Sequence, residues 1–134
     1  MTQKSELGRC GEDIASKYIA GKGYKIIERN HWRPWGELDI IGIASDKTLI
    51  FFEVKTMRQS GNDEIAALQP EDQMTAAKVH KFKKAAEMFA GKHPELINDK
   101  KGWRLDLICV VTPENTDKLT DIVKYCKIKH YENI

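Results

Sequence analysis

The sequence predicts an α/β fold: a central mixed sheet flanked by helices, in the order α-β-β-β-α-β with one further strand. Three observations carry this. Residues 6–20 and 71–90 repeat apolar side chains at helical spacing. Residues 24–30 alternate with period two, and 38–43, 48–56 and 103–111 are apolar runs short enough for strands covered on both faces. Helical and strand segments interleave along the chain, as in a layered sheet.

At 134 residues, the length suits one domain, 1–134, with a sizeable core. A composition of 41% hydrophobic and 31% charged residues is that of a globular protein, and the net charge of +2 permits nucleic-acid binding only through local basic clusters. Three cysteines, Cys10, Cys109 and Cys126, form no CxxC pair, which disfavours a disulfide framework and a zinc site. MTQKSELGRC has no apolar core of a signal peptide, and no apolar run approaches a membrane span, so a cytoplasmic protein is expected.

Ser5 is placed to cap the first helix, and Gly21 and Gly23 to end it. Leu7, Cys10, Gly11, Ile14, Ala15 and Tyr18 form its core face. Glu12 falls at the edge of that face, where it suits either a solvated surface carboxylate or one reaching over the core edge to the strands. After the first strand, HWRPW at 31–35 reads as a connection because Pro34 cannot donate to a ladder. Trp32 and Trp35, beside Arg33, either cover the sheet end or contact a nucleic acid. Residues 56–73 are polar and read as a substrate-contacting flap.

In the second helix Met74, Phe82, Ala85, Ala86, Met88 and Phe89 form the apolar side, with His80, Lys83 and Lys84 outward. Lys78 falls within the apolar arc, where it snorkels to solvent or turns toward an anion. Gly91 is expected to stop the helix, and 92–101 to form a loop. The last strand is expected over 122–131, with Tyr125, Lys127, Lys129 and Tyr131 along one face of an edge.

The chemistry concentrates in GELDIIGIASDKTLIFFEVK at 36–55. A hairpin centred on Asp46 places Asp39 opposite Glu53, with Cβ atoms roughly 5 Å apart. Period two puts Lys55 on the face of Glu53, and Glu37 on that of Asp39, about 7 Å along the strand. Opposed like charges destabilise a sheet, and hard carboxylate oxygens suit a divalent cation. The expected ligands for Mg²⁺ or Mn²⁺ are therefore Asp39, Glu53, the Val54 carbonyl and Glu12, with Glu37 behind them. Lys55 would orient a water and offset charge developing on phosphate, which suits metal-dependent phosphodiester hydrolysis. Arg9, Arg33, Arg58 and Lys78 are the expected nucleic-acid contacts. The competing account is a surface salt-bridge ladder; Phe51, Phe52 and Val54 surround the charges and fit it poorly.

GRCGEDIASKYIAGKGYKIIERN at 8–30, GELDIIG at 36–42 and LIFFEVKTMR at 49–58 carry a family resemblance, with weaker matches at 74–89, 104–110 and the final IKHYENI. Here the chain resembles the bacterial UPF0102 family, assigned to the restriction-endonuclease-like PD-(D/E)XK superfamily and similar to archaeal Holliday-junction resolvases. The resemblance implies the restriction-endonuclease-like α-β-β-β-α-β core. It also implies Asp39, Glu53 and Lys55 as the catalytic centre, with Glu12 supplied by the first helix; Leu38-Asp39 stands where the superfamily has Pro-Asp. The expected function is a Mg²⁺- or Mn²⁺-dependent endonuclease acting on DNA, in its narrower form on branched or junction DNA, where a homodimer suits a symmetric substrate. The alternative is a non-catalytic nucleic-acid-binding module of the same fold. A protein-interaction scaffold would leave the acids without a cation and the basic residues without phosphate.

Overall fold

The computed structural model describes residues 4–59, 74–113 and 118–134. Helix α1, Glu6–Gly21, starts where the Gly8 N–H donates to Ser5 Oγ at 3.0 Å, which satisfies a backbone donor with no partner inside the helix. Strands β1, Lys25–Arg33, β2, Gly36–Ile43, and β3, Leu49–Arg58, follow as an antiparallel meander. Helix α2, Ala76–Lys92, then carries the chain to β4, Trp103–Thr112, which pairs parallel with β3. Helix α3, Leu119–Tyr125, leads into β5, Lys127–Tyr131, antiparallel to β4. The sheet order is β1-β2-β3-β4-β5, a mixed sheet with β3 at its centre.

Each face of the sheet carries its own core. Phe82, Ala86 and Phe89 of α2 pack with Leu38, Phe51 and Leu107. Ile14, Ala15 and Ile19 of α1 pack on the other face with Ile40, Phe52 and Ile108. Burial on both faces is why β3 and β4 read as continuous apolar runs. No helix among the described residues is long and apolar enough to cross a membrane.

Several expectations are corrected. HWRPW is not wholly a connection: β1 runs through His31, Trp32 and Arg33, which pair with Leu38, Glu37 and Gly36. Pro34 falls after the last pair, so its missing N–H breaks no ladder bond. Residues 122–131 do not form one strand. Leu119, Ile122 and Val123 are spaced three and four apart, and as α3 they bury Ile122 and leave Leu119, Val123 and Tyr125 exposed. Helix α2 is capped by Thr75, whose Oγ1 accepts from Lys78 N at 3.2 Å, and it continues through Gly91 to Lys92. A helical glycine in the last turn weakens a helix without ending it. Met88 is exposed rather than part of the apolar side. Of the proposed flap at 56–73, residues 56–58 belong to β3 and 60–73 lie outside the described residues, and the helix expected from 71 begins instead at Ala76, after the Thr75 cap.

Candidate active site

The β2–β3 hairpin pairs Ile40 with Phe52, Ile41 with Phe51, and Ile43 with Leu49. That register is centred on Asp46. The ladder ends at Ile40 and Phe52, and one step beyond it Asp39 Oδ2 accepts the Val54 N–H at 2.9 Å. A strand residue directs its N–H and C=O toward the same side, so the Val54 carbonyl points to the β2 side of β3.

Strict alternation fails at this point. Leu38 packs in the α2 layer while Ile40, two residues on, packs in the α1 layer. Asp39 sits in the break. On β1, Arg29 pairs with Ile40 and His31 with Leu38, and Asn30 between them takes a φ of +54°. Asparagine tolerates that left-handed conformation better than most residues. The distortion turns Asp39 toward α1.

Helix α1 is pressed against β3 at Gly11. A Cβ there would lie 2.7 Å from Thr56 Cβ and Cγ2, so only glycine permits the approach. The next residue, Glu12, is 2% exposed, which excludes the solvated-surface role weighed for it. Its Oε1 is buried without a hydrogen-bond partner, and the Arg29 guanidinium is 3.8 Å away.

Lys4 joins these acids. Its Nζ contacts Glu12, lies 2.7 Å from Asp39 Oδ1 and is 3.8 Å from Glu37. Burial opposes the charged lysine, but hydrogen bonds to Asp39 and Glu12 raise its pKa above the usual value. Burial also lifts the Glu12 carboxyl, and Lys4 only partly offsets it. Glu53 is pushed up to about 8, first by burial and then by the charge of Asp39, against the opposing pull of Lys4 and Lys55. The structure thus gathers Glu12, Glu37 and Asp39 round one ammonium, with Glu53 under the field of Asp39.

Beside this centre a cleft of about 470 Å³ opens between the β1–β2 turn and α2. Glu37, Glu53 and Lys55 line it from the sheet, and Lys78 and Lys81 line it from the helix. Lys78 is exposed and faces the cleft. Arg33 ends β1, and Arg58 ends β3. Arg9 is exposed on α1, where its Nη2 donates to the Lys4 carbonyl at 3.3 Å. None of these three arginines lines the cleft.

The acids fit a hard divalent cation. They offer oxygen donors, one of them buried and unpartnered, and Glu53 lacks enough positive charge nearby to hold it ionised. Their ligand atoms are not drawn together within 4.8 Å, as those of Asp106, His130 and Glu132 are. The latter group is a structural brace. Asp106, fully buried, accepts from Arg104 Nε at 2.9 Å, Arg104 Nη2 at 3.2 Å and Asn133 N at 3.0 Å, and pairs with His130 Nε2 at 2.7 Å. Its oxygens are saturated and already carry a guanidinium, which leaves no place for an ion.

Two residues escaped the sequence reading: Lys4, which precedes any periodic segment, and Lys81. Spacing of three from Lys78 on one helix face was the available signal for Lys81.

The sequence profile of an uncharacterised protein family, UPF0102, matches residues 11–110. A UPF0102 protein of Syntrophomonas wolfei is 32% identical over 118 residues, covering 88% of this chain and 95% of its own. One of Syntrophotalea carbinolica is 39% identical over 108 residues, covering 81% and 80%. Among solved structures, an EndoMS–dsDNA complex overlays with a TM-score of 0.43 at 17% identity, covering 92% of this chain and 45% of that one. A repair endonuclease from Pyrococcus abyssi gives 0.33 at 14% identity, covering 92% and 44%. The chain spans under half the length of these two proteins.

Proposed function

The chain belongs to the UPF0102 family, and from that premise we propose that it is a divalent-metal-dependent endonuclease that hydrolyses DNA phosphodiester bonds from a restriction-endonuclease-like domain, 1–134. The observation that carries the reading is that Lys4 draws Glu12 and Asp39 together, while the charge of Asp39 acts on Glu53, which lines the adjoining cleft with Lys55. Such a concentration of acid is costly unless a cation or a catalytic task accounts for it.

Asp39, Glu53, Glu12 and the Val54 carbonyl would hold Mg²⁺ or Mn²⁺, with Glu37 behind them. When bound, the ion supplies Lewis-acid polarisation of the phosphoryl group and an acidified water. The chain's residues do the rest. The Val54 N–H fixes the Asp39 carboxylate. Lys55, in the cleft, offsets the negative charge that grows on the phosphoryl oxygens. Lys78 and Lys81 hold backbone phosphates further along, and Arg9, Arg33 and Arg58 extend the basic surface. Branched or junction DNA, a homodimer and a cytoplasmic setting belong to the same reading.

A non-catalytic nucleic-acid-binding module is favoured by one observation: Lys4 already places a positive charge among the acids. The complete set Asp39, Glu53 and Lys55 supports the enzyme instead.

Cleavage of branched and linear DNA with Mg²⁺ or Mn²⁺ tests the choice. Wild type is expected to cut, and Asp39→Ala and Lys55→Ala to lose at least about 10²-fold in rate while still binding. Absence of cleavage by wild type, with binding retained in all three proteins, leaves the binding module as the function.

A further inference from the structure

We propose that the cleft between the β1–β2 turn and α2 is a nucleotide-binding site that takes one unpaired nucleotide of a nucleic-acid strand, base against Trp35 and phosphate on Lys78 and Lys81. This rests on the reading of the adjoining acids as a nuclease centre and narrows its substrate to strands with an unpaired nucleotide beside the scissile bond.

The cleft, at about 470 Å³, lies within the size range of small-ligand sites. Its parts are of three kinds. Pro34 and Trp35 form one rim, Met74 and Phe82 supply buried apolar surface, and Lys78 and Lys81 stand together on one face of α2. Glu37, Glu53 and Lys55 close the end toward the acids. A flat aromatic, an apolar floor and paired cations match the base, sugar and phosphate of a nucleotide.

The rim is built, not incidental. Trp35 is 43% exposed, an unusual exposure for so large a ring, and Lys92 Nζ lies 4.5 Å from its centroid. Gly36 follows it. A Cβ there would come within 2.9 Å of Ala85 Cβ, so the missing side chain lets the turn tuck against α2 and sets the distance from Trp35 to the lysines.

An unpaired base exposes its π-face and stacks on tryptophan whatever its identity. A base inside a duplex has both faces covered by its neighbours and cannot enter. The site thereby distinguishes strands by pairing, not by sequence.

Binding without cleavage is the test, measured by fluorescence anisotropy in Ca²⁺ buffer with three labelled DNAs: a paired duplex, the same duplex with one unpaired nucleotide, and a single strand. Wild type is expected to bind the second and third about tenfold tighter than the first. Trp35→Ala should remove that advantage and Trp35→Phe keep most of it. The double variant Lys78→Gln, Lys81→Gln should weaken all three and flatten the salt dependence by about two ions. Equal affinity of wild type for all three DNAs overturns the proposal, as does a preference that survives Trp35→Ala. So does binding of deoxyadenosine monophosphate with no binding of strands, which would make the ligand a free nucleotide. If the preference holds while wild type fails to cut DNA in Mg²⁺, the nuclease reading falls and this one stands; cleavage without the preference gives the reverse.

Discussion

The Lys4 ammonium lies 2.7 Å from Asp39 Oδ1 and also touches Glu12, so the chain holds a cation of its own among the acids proposed to bind metal. An ammonium and a divalent ion cannot share that space. Lys4→Met should therefore lower thermal stability in chelator and increase the gain in Tm on adding Mg²⁺. Equal Mg²⁺-induced shifts in wild type and Lys4→Met would show that the lysine and the ion do not compete.

Glu53 gives a pH signature. Its folded-state pKa of about 8 lies above the usual 4.5, so between those values the folded protein keeps a proton that the unfolded chain releases. Stability contributed by Glu53 therefore falls as pH rises through that window. In chelator, Glu53→Gln should melt several degrees above wild type near pH 8, with the gap closing toward pH 4.5. Parallel stability curves for the two proteins would contradict the buried, field-raised carboxyl.

Gly11→Ala tests how α1 delivers Glu12. The added methyl collides with Thr56, and overpacking of this kind costs about 1–3 kcal/mol. Denaturant unfolding should show that loss. Cleavage by the folded variant should fall further than stability alone explains, because Glu12 moves with the helix. Gly11→Ala with wild-type stability and rate would mean that the Gly11–Thr56 contact does not position Glu12.

Asp106 should behave as scaffold. Burial works to raise its carboxyl, yet hydrogen bonds from His130 and Arg104 hold it below the usual 3.8. A depressed folded value gives stability that is present above the unfolded pKa and lost as pH falls through the folded one. Asp106→Asn should thus cost about 3 kcal/mol or more at neutral pH, since Arg104 loses its charged partner, and the penalty should shrink in acid. Mg²⁺ should not change the difference. A Mg²⁺-dependent difference would instead make the Asp106, His130 and Glu132 group an ion site.

What the sequence made legible was what period and register govern. The pairing of Ile41 with Phe51 and Ile43 with Leu49 follows from counting out from Asp46, and Glu53 and Lys55 both line the cleft as period two requires. Capping at Ser5 was equally readable. The rest depends on contacts without a local signal. Lys4 reaches Asp39 across 35 positions. The change of face between Leu38 and Ile40 arises where the neighbouring strand bends at Asn30. A seven-residue helix at Leu119–Tyr125 has only Ile122 to bury, too weak a pattern to separate from a strand. The bond between Asp106 and His130 joins two strands that only the finished sheet makes neighbours.

The parallel pairing of β3 with β4 also sets an order of events during synthesis. Lys4, Glu12, Glu37, Asp39, Glu53 and Lys55 all lie in the first 55 residues, but the strand that covers the far side of β3 starts only at Trp103. Until Trp103–Thr112 has left the ribosome, Leu49–Arg58 is a sheet edge without its β4 partner, carrying Phe51 and Phe52. At about 5–20 residues per second, that interval lasts seconds. Over that time β3 carries an unpaired edge that a chaperone can shield.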